Sequence, residues 1–470
     1  MKLSRRAVIG SGATMLAGTA MRPFTGFAQP AGRAYTPEMF GAVGDGRTND
    51  STAFAKLATA VSMNGGGIIE LRRTTYLLAA QLPNGARSPY HYEPFKLLEF
   101  TGCRKPLIIR GNGARLRCAA GLRYGVFDAA GAPAQTQMPY FGPGLATPYR
   151  FLVKAENCTG GVEISDLELD GNLPGLLIGG QYGDTGRQIP AIGLALINND
   201  CSEMIRNVHS HHHAQDGFYI DGIDREPIRE RLFWECRSEY NARQGCSIVG
   251  GSGYLFERCR FNHTGRSTIS SAPAAGVDIE AEGGKRNRGF RFLDCEFSNN
   301  VGCGMVADTG DSADASFTGC TFIGTTNWAV WPNKPGFRFH RCRLIGASAR
   351  AFGDNDPARA TQFHGCTFID DPKLTPGGKV YGGTNKDHPL FDLAESVNVL
   401  FNRCTFLATR SAVMPWSTNA IYVDCTMSQA RKVQSFPRGT WRGRNLLNGA
   451  IELGASRIQG QVILNGQPRR

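Results

Sequence analysis

Eight segments share one pattern: LFWECRS, YLFERCRF, FRFLDCEF, SFTGCTF, FRFHRCRL, TQFHGCTF, VLFNRCTF and IYVDCTM, centred on Cys236, Cys259, Cys295, Cys320, Cys342, Cys366, Cys404 and Cys425. Successive centres are 23, 36, 25, 22, 24, 38 and 21 residues apart, a basic period in the low twenties with two longer units. A period of that length marks a repeat architecture in which no unit can bury its apolar face alone, so neighbours must stack. Within each unit the cysteine alternates with an apolar residue two positions on, as in Cys295 and Phe297 or Cys320 and Phe322, the period of a half-buried strand. Hairpins of a sandwich would carry Asn-Gly or Asp-Gly loops at regular intervals. The expected fold is therefore all-β, a single-stranded right-handed parallel β-helix of about a dozen coils. Leu167 in VEISDLELDGN and Val208 in MIRNVHSHH take the cysteine's place in earlier units.

Stacking at about 4.8 Å per coil puts cysteine on cysteine in an internal column. Free cysteine behaves as a small buried hydrophobe, so the 14 cysteines need no disulfides. The opening MKLSRRAVIGSGATMLAGTAMRPFTGFAQPAG places Lys2, Arg5 and Arg6 before an apolar run ending near Ala28. It is similar to a twin-arginine export signal over residues 1–30, and implies a periplasmic or secreted protein exported already folded. The expected organisation is this signal, an N-terminal cap of a helix and first strands over 35–100, and the β-helix over 101–470. Removing the four signal cations lowers the formal charge from +12 to +8. A basic surface favours an anionic partner such as a uronate-containing polysaccharide. No nucleic-acid module and, beyond the signal, no membrane-spanning run is present, and nothing fixes an oligomeric state.

The segment FGAVGDGRTNDSTAFAKLATAVSMNGGGIIELRRTTYLL, residues 40–78, resembles the opening of the pectate-lyase-like superfamily. The likeness is carried by Phe40, Gly41, Ala42, Gly44, Asp45, Gly46, Thr48, Asn49 and Asp50. Asn49, Asp50 or Ser51 can cap the following helix, which would plug the open end of the solenoid. The resemblance implies a polysaccharide lyase, a polygalacturonase-like hydrolase, an epimerase-like enzyme or a tailspike-like glycan binder. One fold hosts all of these chemistries.

Outward positions of successive coils form rows along which an extended polymer can lie. Apolar alternation in GFYID, GCSIV, GVDIE and GMVAD sends Tyr219, Asp221, Ser247, Val249, Asp278, Glu280, Val306 and Asp308 outward. Asp221, Asp278, Glu280, Tyr219, His211 and His213 are the candidate catalytic residues, with Asp216, Arg243, Gln244, Ser247 and Asp308 as candidate substrate contacts. Asp278 and Glu280 are about 6.6 Å apart along one strand face, a separation that suits an inverting glycosidase. A stacked carboxylate row could equally hold Ca²⁺ and support β-elimination from a uronate, with His211, His213, Tyr219 or Arg243 as base. No cofactor is otherwise implied. Polygalacturonase signatures are absent, Gln215-Asp216 standing in place of the aspartate pair. DGFYID is similar to an epimerase strand and would carry a role onto Asp216 and Asp221, although Gln244 stands where the next-coil histidine would fall. Cleavage of an acidic polysaccharide by β-elimination is the leading expectation, with hydrolysis, epimerisation or simple glycan binding as alternatives. HSHHHAQDGFYID, residues 209–221, should border the carboxylate row. His209 and His211 could also chelate a transition metal, although no third ligand stands at a diagnostic spacing.

Overall fold

The structure, a computed structural model, describes residues 34–78, 80–84, 91–135, 145–180, 188–382, 389–410, 414–430 and 434–469. The expected export signal lies outside the described residues. Almost every strand pairs in parallel with the strand one coil away. Two strands per coil build a 26-stranded sheet, and a third builds a ten-stranded sheet on another flank. The chain is a parallel β-helix. Its parallel ladder already includes Gly67–Glu70 and Thr75–Leu78, which pair with Leu107–Cys118, so coiling begins inside the segment expected to be cap.

The helix Ser51–Met63 buries Phe54, Leu57, Ala58 and Val61 and packs on the Leu98–Thr101 strand, covering apolar edges that the first coil would otherwise expose. Asp50 does not cap it with its side chain. Its carboxylate instead accepts from the Val43 and Gly44 N–H groups at 2.7 and 3.1 Å. Asn49 Oδ1 accepts from Ser51 N at 3.0 Å, and Asp45 closes its turn by accepting from the Arg47 and Thr48 N–H groups.

Inside the tube, equivalent residues lie on one another. Phe292, Phe317, Phe339 and Phe363 stack at 4.7, 4.9 and 4.7 Å between centroids. All 14 cysteines are free and buried. Cys295, Cys320 and Cys342 direct their thiols at Phe256 O, Phe292 O and Phe317 O of the preceding coil, at 3.4, 3.5 and 3.4 Å. Each of these thiols therefore meets a carbonyl at the corner between two strands, a position that Leu167 and Val208 fill in earlier coils.

The corner leading into the ten-stranded sheet is equally crowded. The Ser210 hydroxyl donates to Gly217 O at 2.8 Å, and Ser238 repeats the bond to Gly245 O at 2.6 Å one coil later. A Cβ on Gly217 would come within 1.9 Å of Ser238 Oγ. The glycine is required there by close approach, and it fixes where the Asp216–Asp221 strand begins.

Candidate functional site

The ten-stranded sheet carries, in order, Leu98–Thr101, Phe151–Glu156, Ile192–Ile197, Asp216–Asp221, Gln244–Ser252, Ala275–Ile279, Met305–Ala307 and Val330–Pro332. Phe218 and Ile220 are fully buried, whereas Tyr219 and Asp221 between them are half-buried, the alternation expected of a strand with one core face. Registers align Ala195, Tyr219, Ser247, Asp278, Val306 and Trp331 in one row across successive coils. A register shift after Ile220 sets Asp221 opposite Gly250. There its carboxylate is paired with Lys285, whose ammonium also donates to Asn198 Oδ1 at 2.8 Å.

Asp278 lies at the floor of this row, 6% exposed. Gln244 Nε2 donates to its Oδ2 at 2.7 Å, and the Gln244 amide oxygen accepts from Ala275 N, so the amide is fixed with its donor end on the carboxyl. Burial pushes the Asp278 carboxyl up to about 8, helped by the charges of Glu280, Asp308 and Asp216 and opposed by Arg243. At neutral pH it is therefore a neutral acid, with Oδ1 free to carry the proton.

Asp216, expected as a substrate contact, is the first residue of its strand and only 1% exposed. It accepts from Ser247 Oγ at 3.0 Å and lies 3.7 Å from Arg243 Nη1. Its Oδ1 is enclosed without a hydrogen-bond partner. Burial lifts it to about 6 against the pull of Arg243 and Ser247. Asp308 is raised by burial and by Glu280, and Tyr219 is held as a neutral phenol by burial and by Asp221. Glu280 is half-buried and accepts from the Thr309 hydroxyl.

Gln244 and Ser247 are buried, and so is Val249, which alternation had turned toward solvent. The Lys285 side chain crosses Gly250, and the loop that carries it covers this part of the strand. Three contributors were missed. Glu282 continues the alternation of Asp278 and Glu280, and its carboxyl is raised by burial and by Glu280; the period of two in VDIEAE was the available signal. Trp328 and Trp331 pack on the outer face against Ala275, Cys303 and Val306, next to Asp278; only strand register reveals that placement.

The histidines depart from expectation. His212 has a left-handed backbone, φ 54°, and the chain turns there from one sheet to the other, so strand phasing does not carry across the corner. His211 ends the Glu203–His211 strand of the 26-stranded sheet. It engages Glu168 and His212 rather than the carboxylate row, with Nε2 3.0 Å from Glu168 Oε1 and Nδ1 2.7 Å from His212 Nδ1. His213 is fully buried, 2.7 Å from the Tyr149 hydroxyl and 3.2 Å from Leu169 O. Burial holds its imidazole well below the usual value. It is an interior residue, out of reach of a surface polymer.

The fold is a right-handed parallel β-helix. Residues 157–368 match the family model described as the right handed beta helix region. One segment of 72 residues is 42% identical to "Depolymerase 1, capsule KN3-specific" of Klebsiella phage KN3-1, and covers 15% of this chain and 9% of that protein. The A-module of Azotobacter vinelandii mannuronan C-5 epimerase AlgE6 superposes with a TM-score of 0.46 at 14% identity, over 92% of this chain and 98% of that one. The N-terminal fragment of bacteriophage Phi29 gene product 12 gives 0.49 at 13% identity, over 92% and 72%.

Proposed function

We propose that the protein is a carbohydrate-active enzyme that cleaves glycosidic bonds in a polysaccharide lying along the ten-stranded flank. The observation that carries this reading is the placement of the Asp278 carboxyl, buried at the floor of a row of other carboxylates and held by Gln244 Nε2 at 2.7 Å, where burial raises its pKa. A pair of carboxyl groups whose environments differ is what general acid and base catalysis requires. Asp278 is placed as proton donor to the leaving glycosidic oxygen. Glu280, two residues on and just past the end of the Ala275–Ile279 strand, serves as the carboxylate that activates water; an extended backbone would space the two by about 6.6 Å, as in inverting hydrolases. Tyr219 and Arg243 orient the sugar, and Asp216, enclosed beneath with Ser247, holds Arg243 in place. Trp331, three coils from Ser247 and two from Asp278 in the same row, offers an aromatic face to a neighbouring ring. A polysaccharide substrate is supported by the segment shared with the capsule depolymerase.

β-Elimination from a uronate polymer is the second reading, favoured by Arg243, a guanidinium among the carboxylates that could neutralise a substrate carboxylate. Product chemistry separates the two. Incubation with a panel of neutral and uronate-containing polysaccharides is expected to release reducing ends without ultraviolet absorbance of unsaturated uronyl ends. Absorbance rising in step with chain cleavage would instead establish elimination. Absence of cleavage across substrates that bind would leave only a glycan-binding flank.

A further inference from the structure

Strand register supplies the third metal ligand that sequence spacing did not provide. His209 pairs with Glu168 and His211 with Asp170 on the preceding coil, on the 26-stranded sheet. The side chains of Glu168, His209 and His211 bring one donor atom each to within 4.8 Å of one another. We propose that these three residues bind a divalent transition-metal ion of the Zn²⁺ class, at a site separate from the carboxylate row.

Two imidazoles and one carboxylate are a donor set suited to such ions. Bond lengths of about 2.0–2.2 Å around a tetrahedral Zn²⁺ put ligand atoms roughly 3.3 Å apart. Small side-chain rotations bring the cluster to that size. The two histidine rings already lie 4.3 Å apart, tilted by 35°. His209 Nε2 is enclosed and makes no aligned hydrogen bond, although Glu239 Oε2 on the next coil is 3.2 Å away. An imidazole nitrogen without an aligned partner, beside a second imidazole and the Glu168 carboxylate, is an arrangement a cation satisfies.

The outer shell fits as well. A metal-bound histidine characteristically hydrogen-bonds through its other nitrogen, which fixes its tautomer. His211 Nδ1 meets His212 Nδ1 at 2.7 Å, with Asp170 Oδ1 at 3.7 Å. A proton on His211 Nδ1, donated to His212, leaves the Nε2 lone pair facing Glu168. The alternative triad of Asp170, His211 and His212 is the poorer site. Asp170 is occupied by Arg115, Arg117 and the Asn172 N–H group, and the two Nδ1 atoms are closer together than ligands around one ion.

Two cations oppose binding. Arg115 Nε is 3.2 Å from Glu168 Oε1, and Arg237 pairs in register with His209. Arg115 is a third exposed, so it has solvent to swing into. Because the ion would join Glu168 to His209 and His211 across two coils, its binding also staples the solenoid.

The test is titration of tag-free protein with Zn²⁺ in competition with a chromophoric chelator, alongside thermal melts. We expect saturable binding of one ion per chain and a melting temperature that rises with Zn²⁺. His209→Ala and His211→Ala should each weaken binding by more than the ~10–100-fold typical of losing an outer-shell partner, and abolish the rise. Arg115→Ala should tighten binding, a gain that a misfolded variant cannot produce. Absence of saturable binding in the wild type, or affinity unchanged in both histidine variants, would overturn the proposal.

Discussion

Asp278→Asn is expected to lower turnover by about 10²–10⁴-fold, the usual contribution of a positioned general acid, while leaving the fold intact. Asparagine has the shape of the protonated acid, and its amide oxygen can still accept from Gln244 Nε2, as Asp278 Oδ2 does at 2.7 Å. What it lacks is a transferable proton. In the wild type, activity should fall as pH rises through about 8, where Asp278 ionises; residual activity of the variant should lack that limb. The stability sign runs the other way from an ordinary ion-paired aspartate. A carboxyl raised on folding contributes stability that is complete below its unfolded value, near 3.9, and is lost as pH rises toward the folded value of about 8. The variant should therefore melt no earlier than wild type at alkaline pH, so a loss of turnover there cannot be assigned to unfolding. Steady-state kinetics and thermal melts across the same pH series provide the check.

Phe317→Ala should destabilise the protein by about 3–5 kcal/mol, the range for removing a large aromatic from a packed core. Phe317 is fully buried, stacked 4.7 Å from Phe292 and 4.9 Å from Phe339, and edge-on to Phe322 at 5.6 Å. Coils above and below are held by parallel ladders, so they cannot close on the cavity without breaking strand pairs. Urea denaturation of wild type and variant measures the difference. A cost below about 1 kcal/mol, the size of an ordinary surface change or less, would mean that the column does not hold the tube together.

Much of this was legible because a solenoid converts sequence period into spatial adjacency. The cysteine phase located the repeat, although the cysteines themselves lie at corners between strands and not within a strand as expected, and the phenylalanines near them mark the interior columns. The same alternation grouped Tyr219, Asp278, Glu280 and Asp308 on one sheet. It failed at the corner, because His212 adopts a left-handed backbone that resets the phase between two strands. His213, expected as a catalytic residue beside the carboxylate row, instead points inward to Tyr149. Burial of Ser247 and Val249 depends on a loop that carries Lys285 from more than thirty residues away, and no local pattern reports such a covering. The partnership of Glu168 with His209 and His211 was illegible for a related reason. Its register follows from a unit of irregular length, so the carboxylate that completes the cluster lies 41 residues before His209.

The central claim is that Asp278 holds a proton at neutral pH on the polysaccharide-facing flank. Infrared difference spectra of wild type against Asp278→Asn, recorded across a pH series, observe that proton directly through the carboxylic acid C=O band. The account predicts a band present at neutral pH in the wild type alone, disappearing with a midpoint near 8. A wild type already fully ionised at this position at neutral pH, titrating in the ordinary aspartate range near 3.9, would contradict it.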